Sequence, residues 1–210
     1  MKALFKKYWH FLFILFGVVY TPCFILLEKW TDRNWHIIHC ALDDKIPFFE
    51  YVIIPYYLWF LFMGIYFIYF FFKSQGESVR FYSYIITATI ITVIIFIVYP
   101  SEQQLRPETF PRDNFSCKLV AMLYSSDTPT NVLPSLHVLD TLIAVIAVYE
   151  SKTFKHRALA RIIASVCGFV ICISTVLLKQ HSMIDVGCAV ALTAILYPIF
   201  YKTKFFKKFK

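Results

Sequence analysis

Charge is scarce in this chain. Asp, Glu, Lys and Arg make up 16% of its 210 residues, and 59% are hydrophobic. A soluble domain carries about 25% charged residues, so the composition excludes an ordinary water-soluble fold. Glycine is rare as well, at five, while Phe (23) and Tyr (14) abound. The six cysteines include no CxxC pair, which removes the usual spacing of a thiolate metal site. No internal repeat is present, so a repeat array is excluded and one domain, 1–210, is expected. No small-residue cleavage site follows the long first apolar run, which argues against a signal peptide.

What remains is a series of long uncharged runs. Crossing the hydrocarbon core takes about 20 apolar residues in a helix. Trp9–Leu27, Tyr51–Phe72 and Phe81–Pro100 hold no Asp, Glu, Lys or Arg. Ile162–Leu178 is similar but shorter, Asn131–Tyr149 holds only Asp140 and His137 as ionisable groups, and Ser182–Tyr201 holds only Asp185. The reading is an all-α polytopic membrane protein, a bundle of six transmembrane helices at about 9–27, 51–72, 81–100, 131–149, 158–178 and 182–201.

Lys and Arg set the orientation. With the N-terminus inside, Lys2, Lys6, Lys7, Lys73, Arg80, Lys152, Lys155, Arg157, Arg161, Lys202, Lys204, Lys207, Lys208 and Lys210 face the cytoplasm. Half as many face the other side: Lys29, Arg33, Lys45, Arg106, Arg112, Lys118 and Lys179. Both termini are therefore expected in the cytoplasm. The net charge of +8 reflects this asymmetry and gives no argument for nucleic acid. Two long outer loops, Glu28–Glu50 and Ser101–Thr130, read as functional segments. Their cysteines, Cys40 and Cys117, lie in a compartment that permits a disulfide, though spacing does not fix pairing.

Two histidines lie at the outer ends of apolar segments, where ionisable groups are costly. His181 has Asp185 four residues on, one helical turn away on the same face. A carboxylate there fixes the imidazole tautomer and frees the other ring nitrogen for attack. His137 follows Pro134 and Ser135. Pro134 suits the first turn of a helix, capped by Thr130 or Asn131, so Ser135 and His137 fall among first-turn amides that favour phosphate. Arg106, before Pro107, can grip two phosphate oxygens. Asp140 lies one turn beyond His137, as a support for it or as a headgroup ligand.

Taken in order, Arg106-Pro107, then Pro134-Ser135-x-His137, then Ser174-Thr175 with His181 and Asp185 at fixed spacing, the chain resembles the type 2 phosphatidic acid phosphatase superfamily over roughly residues 50–200. Two cations of the family pattern are replaced, one by Tyr99 and one by Thr175. Lys179, four residues after Thr175, is expected to reach the same pocket if that stretch is helical. Fewer cations also characterise the related lipid phosphotransferases, such as inositol phosphorylceramide synthases.

The resemblance implies a lipid phosphatase that needs no metal or other cofactor. His181 is the implied nucleophile, forming a phosphohistidine, oriented by Asp185. His137 is the implied acid and base. Arg106, Ser135, Lys179 and the helix-start amides around Pro134 are the implied phosphate holders. The substrate is a lipid phosphate monoester or diphosphate in the bilayer, met on the non-cytoplasmic face. Two other readings stay open: a headgroup phosphotransferase, and a non-catalytic transporter or scaffold that keeps the fold.

Overall fold

The structure, a computed structural model, describes the backbone of residues 2–73, 75–203 and 206, with side chains from Phe13 onward. Lys204, Lys207, Lys208 and Lys210, and the side chains of Lys2, Lys6 and Lys7, lie outside what is described. The chain divides into two compact units after Asn34. The first contains one helix, α1 (Lys2–Glu28). Phe16, Tyr20 and Phe24 run along it at four-residue steps with ring centroids 5.7 Å apart.

The second unit holds the rest: α2 (Ala41–Lys45), a 3-10 turn (Glu50–Val52), α3 (Ile53–Phe71), α4 (Gln75–Val98), α5 (Phe115–Ser126), α6 (Leu136–Glu150), α7 (Arg157–Leu177) and α8 (Met183–Tyr201). A parallel pair of two-residue strands, β1 (His36–Ile37) and β2 (Ser101–Glu102), joins the two outer loops. The class is all-α. Among the described residues, four helical segments are long and apolar enough to cross a membrane: 50–71, 75–98, 157–177 and 183–201. They stand close to the expected spans. The other two expected spans, α1 and α6, are not among these four. The described apolar part of α1 is Phe13–Glu28, and α6 has 15 residues, about 22 Å of helix.

The outward faces suit lipid. Leu58, Leu61, Ile65 and Ile68 of α3 are exposed, and so are Ile162, Val166 and Phe169 of α7. Both sets recur at helical spacing on one face. Contiguous apolar surface of this kind marks contact with a membrane or a partner.

The short helix α6 packs against α3, α4, α7 and α8. Against α7 it packs tightly at Gly168, where a Cβ would lie 2.8 Å from Val145 Cγ2 and 3.3 Å from Thr141 Cγ2. Helix α6 also starts later than expected. Its cap is Ser135, not Thr130 or Asn131, and Pro134 precedes the cap instead of opening the first turn. Asn131 is drawn away by a different bond, donating its amide to the Ser101 carbonyl at 2.6 Å with φ 54°. The Ser101 hydroxyl accepts from the amides of Val132 and Leu133 at 3.1 Å each.

The two long loops, 28–50 and 101–130, contain two helices that periodicity did not reveal. Asn114 caps α5, its side chain accepting from Cys117 N at 2.8 Å. Val120 and Leu123 of α5 are buried in a cluster with Ile53, Tyr56 and Leu178, so the longer loop roofs the start of α3 and the end of α7. Cys40 and Cys117 are both free thiols.

Gly168→Val is expected to lower stability in detergent by about 1–3 kcal/mol through overpacking. Gly187→Ala, whose Cβ meets nothing within 4 Å, serves as a neutral control in the same thermal-shift assay.

Candidate active site

The first turn of α8 fixes one half of the site. Ser182 is its cap, with the side chain accepting from Ile184 N at 3.1 Å. Asp185 completes a capping box, its Oδ2 accepting from Ser182 N at 2.8 Å. Asp43, in α2 of the shorter loop, supplies the rest. It accepts from the Ser182 hydroxyl at 2.6 Å, from Met183 N at 2.8 Å and from Cys40 N at 2.8 Å. Burial pushes the Asp43 carboxyl up, but the bonds from Ser182, Met183 and Cys40 outweigh it and hold its pKa below the ordinary carboxylate value. The same Asp185 Oδ2 lies 3.3 Å from His181 Nδ1. That leaves His181 Nε2 facing away from the carboxylate.

Helix α7 ends by an αL cap. Lys179 N donates to Val176 O and Gln180 N to Thr175 O, with Lys179 at φ 54°. This is the Schellman pattern, whose αL position usually holds glycine. The stretch from Thr175 to Lys179 is therefore not one continuous helix, and the expectation that Lys179 reaches the phosphate pocket is not met. Its ammonium turns to the loop and donates to the carbonyls of Asp43 at 2.7 Å and Ile46 at 2.5 Å. Lys179 clamps the segment that carries Asp43. Burial lowers its pKa, with Asp43 and Asp44 opposing.

The other half comes from α6 and α3. The ring centroid of His137 lies 5.8 Å from that of His181, so the structure brings the two predicted histidines together. His137 is walled by Tyr56 at 4.9 Å and Trp59 at 4.6 Å between ring centroids. The Tyr56 hydroxyl is 3.1 Å from His137 Nε2. Ser135 is fully buried as a cap, with Oγ accepting from Val138 N at 3.4 Å, and its own amide donates to Asp185 O at 3.3 Å. That bond ties the starts of α6 and α8 together. Among the described residues, no acceptor meets the amides of Leu136 and His137. Asp140 Oδ1 and Trp59 Nε1 are also buried with no hydrogen-bond partner there.

Arg106 reaches over from the longer loop. It stacks on Tyr124, its guanidinium carbon 4.3 Å from the ring centre. It donates to Tyr124 O at 3.2 Å, Asp127 O at 2.8 Å and Gln180 Oε1 at 2.6 Å. Gln180 Nε2 in turn lies 3.3 Å from Asp127 Oδ2. Asp127 lies within electrostatic reach of His181 and Arg106. Burial pushes its carboxyl above the ordinary range, with His181 and Arg106 pulling it back.

Tyr56, Asp127 and Gln180 escaped the sequence reading. Gln180 adjoins His181, and Asp127 is a carboxylate in a loop otherwise read as functional, so both left a faint signal. Tyr56 sits among a crowd of aromatic residues and left none. An apolar groove of about 320 Å³ runs between α3 and α7, lined by Pro55, Leu58, Phe62, Val166 and Val170 among others. Its first α3 residue, Pro55, adjoins Tyr56. Among the described residues, no three His, Cys, Asp or Glu side chains stand close enough to share a metal ion. Compared with family models, with curated proteins and with solved structures, the chain finds no match.

Two outcomes follow. Lys179→Ala leaves two carbonyls without their donor and is expected to cost about 1–3 kcal/mol of stability, with KM for a phosphate substrate unchanged. Lys179→Gly is expected to regain roughly 1 kcal/mol of that by relieving the αL backbone; thermal unfolding and initial rates check both. Asp127, with a raised folded pKa, loses stability as pH rises through the carboxyl range. Asp127→Asn is therefore expected to unfold at a higher temperature than the parent at neutral pH. That gap closes once the pH falls below the ordinary carboxyl pKa, as thermal melts across pH would register.

Proposed function

We propose that this chain is a membrane phosphohydrolase acting on a lipid phosphate through a phosphohistidine on His181. The observation that carries the reading is the pairing of two imidazoles, 5.8 Å apart between ring centroids, with a buried carboxylate on Nδ1 of one of them. A carboxylate on Nδ1 keeps the proton there and leaves Nε2 as the nucleophile.

Charge and amides support where the phosphate goes. The amides at the start of α8 are taken by Asp43, Asp185 and Ser182. At the start of α6 the amides of Leu136 and His137 remain open beside His137, and an open helix start favours an anion. Arg106, held toward Asp127 and Gln180, adds a cation on the third side. In the first half-reaction His181 Nε2 bonds to phosphorus, the leaving oxygen departs, and the imidazolium of His137 gives it a proton. In the second, water gives its proton to His137 while its oxygen displaces His181 from phosphorus.

The groove between α3 and α7 supports a lipid substrate, because a hydrocarbon tail lying along it ends beside Tyr56 and His137. On this reading α1 and α6 also cross the bilayer and complete six spans. α6 tolerates its short length because four helices surround it. Both termini are cytoplasmic and the site opens on the opposite face, as the Lys and Arg distribution indicates. A headgroup phosphotransferase shares every step except the acceptor, an alcohol in place of water. The replacement of two family cations by Tyr99 and Thr175 favours keeping that second reading.

A screen of purified protein across lipid phosphate monoesters and diphosphates tests the proposal. Free phosphate is expected, with loss of turnover in His181→Ala and a fall of roughly 10²–10⁴-fold in His137→Ala. Formation of a new phospholipid without free phosphate selects the transferase. Activity that survives His181→Ala overturns the mechanism, and a parent protein with neither product supports the non-catalytic reading.

A further inference from the structure

One neutral side chain stands between a cation and a carboxylate beside His181. Gln180 Oε1 accepts from Arg106 Nη2 at 2.6 Å, and Gln180 Nε2 lies 3.3 Å from Asp127 Oδ2. Arginine can only donate and an ionised carboxylate can only accept, so the two contacts together fix which way the amide faces. Asp127 is the C-cap of α5, and its backbone carbonyl accepts from the same Arg106 Nη2 at 2.8 Å. Its carboxylate turns to Gln180 instead. Gln180 is firmly held in this place and is 3% exposed. Its own amide donates to Thr175 O at 2.9 Å in the cap of α7. Gln103 Nε2 donates to the carbonyl of the preceding residue, Lys179, at 2.8 Å.

We propose that Gln180 is a positioning residue that separates Asp127 from Arg106 and keeps the guanidinium charge uncancelled for a phosphate. This rests on the phosphate-holding role given to Arg106 above. A guanidinium and a carboxylate in reach of each other form strong, often bidentate, hydrogen bonds. A cation paired in that way attracts a second anion far less. The amide oxygen of Gln180 is a neutral acceptor, about half as strong as a charged one, so a phosphate oxygen outcompetes it at Arg106. The amide nitrogen meanwhile gives the Asp127 carboxylate a donor of its own. Removing the amide leaves a buried carboxylate short of a donor, which is costly, and turns it onto Arg106. With Tyr99 and Thr175 in place of two family cations, the proposed site leans on Arg106, so its neutralisation would be felt in phosphate affinity.

The test titrates inorganic phosphate into the full chain in detergent micelles by calorimetry, with thermal unfolding as the check on folding. The proteins compared are the parent, Gln180→Leu, Asp127→Asn and the double variant. Gln180→Leu is expected to weaken phosphate binding roughly tenfold to a hundredfold, the scale of a hydrogen bond to a charged group. Asp127→Asn alone should bind at least as tightly as the parent. The double variant should recover to within about threefold of the parent, because the carboxylate that does the harm is gone. Gln180→Glu, which puts a carboxylate on Arg106 itself, serves where Gln180→Leu does not fold. It should weaken binding as well, and Asp127→Asn should not rescue it. With a lipid phosphate the loss should fall on KM, with kcat held within about twofold. Three results overturn the proposal: parent-like binding in Gln180→Leu, weakening that Asp127→Asn fails to rescue, or a parent that binds no phosphate. Weakening and rescue in a parent that releases no phosphate from any lipid leave the spacing role intact and refute the phosphatase reading instead.

Discussion

At the first turn of α8, two carboxylates are taken almost wholly out of water to satisfy the amides of one helix start. Asp43 is 1% exposed and Asp185 is fully buried. Burying a carboxylate is costly unless its oxygens are bonded. Ser182, Met183 and Cys40 bond both oxygens of Asp43. Ser182 N bonds Asp185 Oδ2, while Asp185 Oδ1 has no hydrogen-bond partner among the described residues. Much of the site hangs from that arrangement. Asp185 is held where it meets His181, and its carbonyl receives the amide that starts α6. Asp43 arrives from a distant loop and stays because Lys179 clamps the carbonyls of Asp43 and Ile46. The loop, the end of α7 and the starts of α6 and α8 thus stabilise one another.

The same arrangement divides the labour between the two helix starts. At α8 the dipole is already met by carboxylates, so another anion there is unfavourable. At α6 the cap is a neutral serine and amides stay open, so the anion site moves to the His137 side. On the proposed reading His181 attacks the phosphate from across the site. The cations missing from the family pattern are not restored by Lys179. In the proposed site the cradle consists of the amides at the start of α6 and Arg106, which stacks on Tyr124 and donates to Tyr124 O, Asp127 O and Gln180 Oε1.

Much of this was legible in the residues. Long uncharged runs located the apolar helices, because a hydrocarbon core penalises charge over a whole span. His181 and Asp185 meet as their four-residue spacing suggested, although His181 precedes the Ser182 cap of α8 and does not share a helical turn with Asp185. His137 was legible as a partner but not its wall of Tyr56 and Trp59, since aromatic residues occur throughout and nothing in their spacing marks the two that touch an imidazole. Lys179 was misread because its backbone leaves the helix in the left-handed region, a conformation that glycine announces and lysine does not. α5 was hidden because its apolar face is three residues wide and lies between prolines. The role of Asp43 is a contact between positions 139 residues apart, which no local pattern encodes.

The central claim is a double displacement at phosphorus through His181, and the configuration of the transferred phosphoryl group reports it most directly. A lipid phosphate made chiral with oxygen isotopes, turned over with an alcohol as acceptor, is expected to give a product with configuration retained, since two in-line displacements invert it twice. Inversion would mean a single direct displacement and would contradict the account.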